Sequence, residues 1–211
     1  MHIRHLYLRR RMDFNRNFFH HILLLVVLSI GWGQCFAQNA DIRLLRKINV
    51  NRNMKLDGSF RLLTNTVAPV SLAVPLSMIA AGLNNKDKVL ASQGYVAGAS
   101  LVLSTGISLS LKYSIKRKRP FVVYDDIQKM VPAGPCSFPS GHTTAAFATA
   151  TSLSLAFPKW YVVAPSFVWA AAVAYSRMHL GVHFPSDVLA GILIGAGSSI
   201  LCYEAQGWIK K

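Results

Sequence analysis

Three short patterns, met in chain order, carry residue types that can handle a phosphate group: Lys112-x6-Arg119-Pro120, Pro139-Ser140-Gly141-His142 and Ser176-Arg177-x5-His183-x3-Asp187. The lysine and the two arginines are cations with several N–H donors, and a guanidinium fork matches the oxygens of a tetrahedral anion. Ser140 and Gly141 come just before a helical run of small residues, Thr143 to Leu155. Their backbone N–H groups and the positive end of that helix can cradle an anion, although Ser140 alone would read as an ordinary helix cap. His183 precedes Phe184-Pro185, and a proline suits the first position of a helix, which puts Asp187 in the first turn and within reach of His183. A carboxylate so placed can orient an imidazole through one ring nitrogen while the other attacks. His142 is a second imidazole, suited to giving a proton to a leaving oxygen and taking one from water. His179 fits no pattern position and is expected at the edge of the site or in a structural role.

A metal-based reading fares worse on ligand count. A two-metal centre needs clustered carboxylates and histidines, and the whole chain has 8 acidic residues. Asp125-Asp126 is the adjacent acidic pair and reads as a turn. Neither a metal nor another cofactor is expected.

The elements that must position these residues look membranous. Of the 211 residues, 52% are apolar and 15% charged, outside the usual soluble balance. Stretches free of Asp, Glu, Lys and Arg run from Ile22 to Ala40, between Arg61 and Lys86, and between Lys88 and Lys112; another holds His142, and the last two are Trp160 to Ser176 and Val188 to Tyr203. A spanning helix needs about 20 such residues. The expected fold is all-α, a polytopic transmembrane helical bundle with five to six spanning helices. Small residues such as Ala145, Ala146, Ala148, Gly191, Gly195 and Gly197 suit helices packed closely in lipid. The formal charge of +15 implies an anionic partner, and in so apolar a chain that means lipid headgroups or a phosphorylated lipid at the bilayer rather than nucleic acid. No protein partner is implied.

Residues 1–37 read either as a signal peptide, with small residues Cys35 and Ala37 before the cut, or as an uncleaved first transmembrane helix. Residues 38–66 form a periplasmic interfacial segment, where Ile42, Leu44, Leu45 and Ile48 alternate with Arg43, Arg46 and Lys47 as in a helix lying among headgroups or a solvated linker helix. Residues 67–204 form the transmembrane domain and 205–211 a cytoplasmic tail. Alternating the spans puts all three patterns on the periplasmic face of a bacterial inner membrane. The five basic residues between Lys112 and Arg119 then oppose the usual excess of cations in cytoplasmic loops. Phosphate binding by Lys112 and Arg119 accounts for two of them, and Lys116, Arg117 and Lys118 are expected to attract anionic headgroups.

The three patterns together resemble the signature of the type-2 phosphatidic acid phosphatase superfamily, matching it at all eleven specified positions. The resemblance implies that His183 attacks phosphorus to form a phosphohistidine, Asp187 orients it, and His142 protonates the departing oxygen. It further implies that Lys112, Arg119, Arg177, Ser140 and the Gly141 backbone bind the phosphate oxygens. The family's usual membrane members have six transmembrane helices, whereas cleavage after Ala37 would leave five. The implied function is hydrolysis of a phosphate monoester or pyrophosphate on a membrane lipid. Candidate substrates are undecaprenyl pyrophosphate and lipid A phosphate, favoured by the envelope-type presequence, then phosphatidylglycerol phosphate and phosphatidic acid. Two alternatives stand beside it. One is a vanadate-dependent haloperoxidase, similar at the same residues but disfavoured by the membrane helices; the other is a non-catalytic anionic-lipid-binding or transport protein.

Overall fold

The computed structural model describes residues 34–209, with side chains described for residues 39–207. Most of the expected signal peptide or first span therefore lies outside the described residues. The chain divides into two compact units, Met1–Ala40 and Asp41–Lys211. The first is described from Gln34, where helix α1 (Gln34–Asn49) begins; the second holds α1 from Asp41 onward and every later helix.

After α1 come α2 (Asp57–Asn65), α3 (Val67–Asn84), α4 (Lys88–Ile115), the single turn α5 (Pro120–Val123), α6 (Gly141–Ala156), α7 (Trp160–His179) and α8 (Pro185–Ile209). All regular structure among the described residues is helical, as the composition and the charge-free runs imply. Local chemistry sets the boundaries. Pro69 has no N–H to give the carbonyl of Asn65 and its ring crowds that carbonyl, so α2 ends at Asn65 and α3 starts afresh. The Asp87 carboxylate caps α4 by accepting from the N–H groups of Val89 and Leu90, both at 3.0 Å. Phe157, forced away from helical geometry by Pro158, closes α6 at φ −130°.

Successive long helices run in opposite directions, so α6 and α8, which pack against each other, run parallel. At one end the N–H of Ser140 donates to the Asp187 carbonyl at 3.0 Å, and further along Ser152 donates to Ser199 at 3.1 Å. Gly195 makes this contact possible. A Cβ there would sit 2.3 Å from the Thr144 carbonyl oxygen and 2.9 Å from the Ala148 nitrogen, so only glycine lets the two backbones approach so closely. Helix α6 is the most enclosed of the bundle. Several of its hydroxyls bond back to carbonyls one turn earlier, as Thr149 does to Ala145 and Ser154 to Ala150, which suits a helix wrapped by its neighbours.

Three helical stretches among the described residues are long and apolar enough to cross a membrane: Met54–Asn84, Lys88–Val123 and Pro185–Gly207. Their outer faces carry large exposed apolar side chains, including Leu72, Leu76, Val102 and Leu193, as a hydrocarbon solvent favours. Of the expected five to six spans, three meet this measure. Helix α6, with 16 residues, reaches about 24 Å at 1.5 Å per residue. The C-termini of α4 and α7 and the N-termini of α6 and α8 meet at one end of the bundle. There α1 packs Ile42 and Leu45 against Ile127 and Phe184, while Leu44 stays 48% exposed. The amphipathic pattern of residues 42–48 therefore buries its apolar side on the segments that carry the site.

Candidate active site

Lys112 stands in the last turn of α4. Beyond it Lys116 takes a left-handed conformation (φ 49°) and ends the helix, and the chain runs extended to Arg119. Successive side chains of an extended segment point to opposite sides. Lys116 and Lys118 accordingly face solvent, while Arg117 is half-buried and Arg119 buried. The segment from Pro132 to Pro139 crosses above them, and its carbonyls fix the cations. Lys112 Nζ donates to Pro139 O at 2.6 Å and to Cys136 O at 3.4 Å. Arg119 donates from Nε to Gly134 O and from Nη1 to Val182 O at 2.6 Å.

The third cation comes from the last turn of α7. Arg177 is 3% exposed, its Nη1 donates to Thr64 Oγ1 at 2.6 Å, and its Nε is buried without a partner among the described residues. A buried unpaired donor on a cation is costly, and an anion oxygen would relieve it. Beyond α7 the chain reverses at Gly181. Its φ of +71° favours glycine, and the Gln128 carbonyl oxygen, which would lie 2.2 Å from any Cβ at that position, requires it. That reversal delivers His183 to the space facing the cations.

The tautomer of His183 follows from its neighbours. Arg119 Nη1 lies 3.2 Å from His183 Nε2, and a guanidinium can only donate, so Nε2 carries the lone pair and the proton sits on Nδ1. Nδ1 faces Asp187 Oδ2 at 3.5 Å, longer than a well-formed hydrogen bond, and makes no other hydrogen bond among the described residues. Burial pushes the His183 imidazole down to about 4, aided by the Arg119 and Arg177 charges and opposed by the Asp187 carboxylate. The ring is therefore neutral at ordinary pH, with its Nε2 lone pair turned to Arg119.

Asp187 is fully buried. Its Oδ2 accepts from the Ser137 hydroxyl and from the Phe184 N–H at 2.9 Å, and its Oδ1 accepts from Arg117 Nη1 at 2.6 Å. Arg117 is thus a correction to the sequence expectation: it turns inward as an ion-pair partner and does not reach out for headgroups. The signal was its spacing, two residues before Arg119 on an extended chain. Ser137, which lies between the Lys112 and Ser140 patterns, had no such signal. His179 takes a structural role, with its ring nitrogen 2.8 Å from Asp57 Oδ1 and its carbonyl bonded by Asn49. Asp126 pairs with Arg46 on the surface.

These elements enclose a cavity of about 330 Å³ lined by Lys112, Arg119, Gly141, His142, Arg177 and His183, with Tyr113, Cys136 and the Pro132–Pro135 turn completing the wall. Six of the eight site residues expected from the sequence thus line one cavity. The other two stand behind it: Asp187 beneath His183, and Ser140 with its Oγ accepting from Thr143 at 2.9 Å. Ser140 starts α6, so the free N–H groups of the first turn, beginning at Gly141, open towards the cavity. His142, exposed on that turn, stands on the wall with His183. Three cations, a helix N-terminus, one neutral imidazole and a second imidazole make an arrangement suited to in-line transfer of a phosphoryl group.

A model of the PAP2 superfamily matches residues 93–211. The chain is 30% identical to the undecaprenyl-diphosphatase of Sulfolobus acidocaldarius, over 93% of this chain and 96% of that protein. It is 31% identical to the lipid A 1-phosphatase of Porphyromonas gingivalis over 92% of this chain, which spans 39% of that longer protein. The fold is similar to a transmembrane PAP2-type phosphatidylglycerolphosphate phosphatase from Bacillus subtilis, with a TM-score of 0.72 and 26% identity, covering 90% of this chain and 96% of the other.

Proposed function

The chain belongs to the PAP2 superfamily and is a membrane protein that hydrolyses lipid phosphates, and from that premise we propose that it does so without a metal and that His183 is its nucleophile. The observation that carries this reading is the pair of contacts on one ring: Nε2 turned to Arg119 at the cation-lined cavity, Nδ1 turned to Asp187. Nε2 attacks phosphorus as the bond to the leaving oxygen breaks, and His142 gives that oxygen its proton. Asp187 holds Nδ1–H and supports the charge the ring acquires. Lys112, Arg119, Arg177 and the Gly141 turn shaped by Ser140 hold the equatorial oxygens, where charge concentrates. Water then attacks the phosphohistidine, passing its proton to His142, and phosphate leaves.

The reading extends to the substrate and the setting. Beyond its cations and histidines the cavity wall is Pro, Ala, Gly, Cys and Tyr, poor in the polar side chains that a sugar or glycerol headgroup would engage. An isoprenoid pyrophosphate, which has no such headgroup, fits best and accords with the name of the Sulfolobus relative. We place the protein in a bacterial inner membrane as a multi-pass chain, with α3, α4, α6, α7 and α8 as five spans and residues 1–37 as a signal peptide or a sixth. Residues 38–66 are the periplasmic segment, 67–204 the phosphatase domain, 205–211 the cytoplasmic tail, and the cavity opens to the periplasm.

Phosphate release from undecaprenyl pyrophosphate, lipid A, phosphatidylglycerol phosphate and phosphatidic acid, measured in detergent after exhaustive chelation, tests the reading. The pyrophosphate should be cleaved fastest, and His183→Ala should fall to background. Parental rates in His183→Ala would refute the nucleophile, and strict dependence on added divalent metal would refute the mechanism.

A further inference from the structure

The carboxylate beneath His183 is gripped by residues at none of the specified positions of the three motifs. Arg117 Nη1 donates to Asp187 Oδ1 at 2.6 Å and to Ser186 Oγ at 2.7 Å, and Arg117 Nη2 donates to Asp41 Oδ2 at 2.8 Å. Asp41, from α1, also accepts from the Ser186 N–H at 2.8 Å and from the Ser186 hydroxyl. It therefore caps the first turn of α8 from a different helix, placing negative charge at a positive helix end. One guanidinium thus joins two buried carboxylates, and its carbon lies 4.0 Å from the centre of the Phe184 ring.

We propose that Arg117, anchored by Asp41 of α1, is a positioning residue for phosphoryl transfer, fixing the Asp187 carboxylate and through it the direction of His183 Nε2. The inference rests on the reading of His183 as nucleophile. The terminal torsion of a carboxylate is soft. Oδ2 is held by Ser137 and Phe184, and the described contact on Oδ1 is that with Arg117. Without it the carboxylate can swing, and the 3.5 Å contact to Nδ1 swings with it. Arg117 does not line the cavity, so it touches His183 only through Asp187 and leaves the phosphate-binding cations in place. Helix α1, outside the stretch that carries the motifs, becomes part of the catalytic apparatus through a single aspartate.

This predicts a separation between turnover and anion binding. In the full chain in detergent, Arg117→Gln should lower kcat about 100-fold, the cost of a misplaced reacting group. KM and the competitive inhibition constant of inorganic phosphate should stay within about threefold. Arg117→Lys should recover part of the loss by keeping the charge, and Asp41→Asn should lose about tenfold, because Arg117 keeps Asp187 and Ser186. The double variant Asp41→Asn/Arg117→Gln should be no slower than Arg117→Gln, since the two residues act in series. Parental kcat in Arg117→Gln, multiplicative losses in the double variant, or a phosphate inhibition constant that weakens in step with kcat would each overturn the proposal. If Arg117→Gln does not fold, Asp41→Asn and Arg117→Lys decide by the same split. His183→Ala, run in parallel, separates the two ideas: full activity there sinks the nucleophile assignment, whereas background activity there with full activity in Arg117→Gln sinks this proposal alone.

Discussion

Replacing Asp187 by Asn keeps the volume of a fully buried side chain but exchanges one acceptor oxygen for a donor, and neither orientation of the amide satisfies its surroundings. With the amide nitrogen on the Oδ1 side, it faces Arg117 Nη1, which donates across 2.6 Å in the parent. Donor then meets donor, and Arg117 loses half of its anionic partnership. With the amide turned over, its nitrogen meets the Phe184 N–H, now 2.9 Å from Oδ2, and the His183 Nδ1 proton loses its acceptor. The ring is then drawn towards accepting at Nδ1 and carrying its proton on Nε2, the atom that must attack, against the Arg119 donor 3.2 Å away. Breaking a fully buried ion pair from one side costs about 3–5 kcal/mol of stability; Arg117 is 23% exposed and keeps Asp41, so the loss should be smaller, but the variant should melt lower. The larger effect is kinetic. A carboxylate-to-amide change beneath a catalytic histidine lowers kcat by about 10⁴ where the two are closely bonded. The 3.5 Å contact here is longer, which argues for about 10³. Steady-state phosphate release, with inorganic phosphate as competitive inhibitor, is the assay, and the inhibition constant should change less than about threefold because the cavity cations are untouched. A kcat within tenfold of the parent would show that the carboxylate does not set the ring, and the tautomer argument would fall.

Two further expectations concern packing and proton binding. Gly195→Ala adds about 1 kcal/mol of helix propensity, yet its methyl would lie 2.3 Å from a backbone oxygen of α6. Overpacking of about 1–3 kcal/mol should win, so the thermal midpoint in detergent should drop, and an unchanged or higher midpoint would mean that α6 and α8 are not packed as described. His183, held near 4 against an ordinary 6.5, binds its proton in the unfolded chain before it does so in the folded one as pH falls. Its contribution to stability is therefore constant above pH 6.5 and is lost progressively from there down to about pH 4. The imidazole resonance of His183, assigned by comparison with His183→Ala, should titrate with a midpoint near pH 4, and a midpoint above about 6 would contradict the buried, cation-flanked setting.

Much of the site could be read from the chain because its chemistry is carried by residue type and short spacing. Lys112, Arg119, His142, Arg177 and His183 were legible as cations and imidazoles in three patterns, and Gly141 as the start of a helix. Pro185 in the first turn and Pro158 after Phe157 set helix ends through backbone geometry that acts within a few residues. The membrane class was legible too, since solvent preference accumulates along each run of apolar residues. Arg117 was misread because charge along a sequence does not say which side of an extended segment it occupies. The left-handed Lys116 and the overlying Pro132–Pro139 segment decide that, turning Arg117 and Arg119 inward and leaving Lys116 and Lys118 in solvent. Ser140, legible as a cap, became a residue behind the wall once Gly191, whose Cβ would lie 2.8 Å from the Ser140 carbonyl oxygen, allowed α8 to lie against α6. Asp41 and Ser137 carried no signal at all: the Asp187 they help to hold lies 146 and 50 positions away along the chain, and only tertiary packing brings together carboxylates and donors so far apart. The chain alone thus determined which groups do the chemistry, through local patterns. Which groups hold them still was decided by long-range contacts, because a buried carboxylate takes its hydrogen bonds from whatever donors the fold delivers.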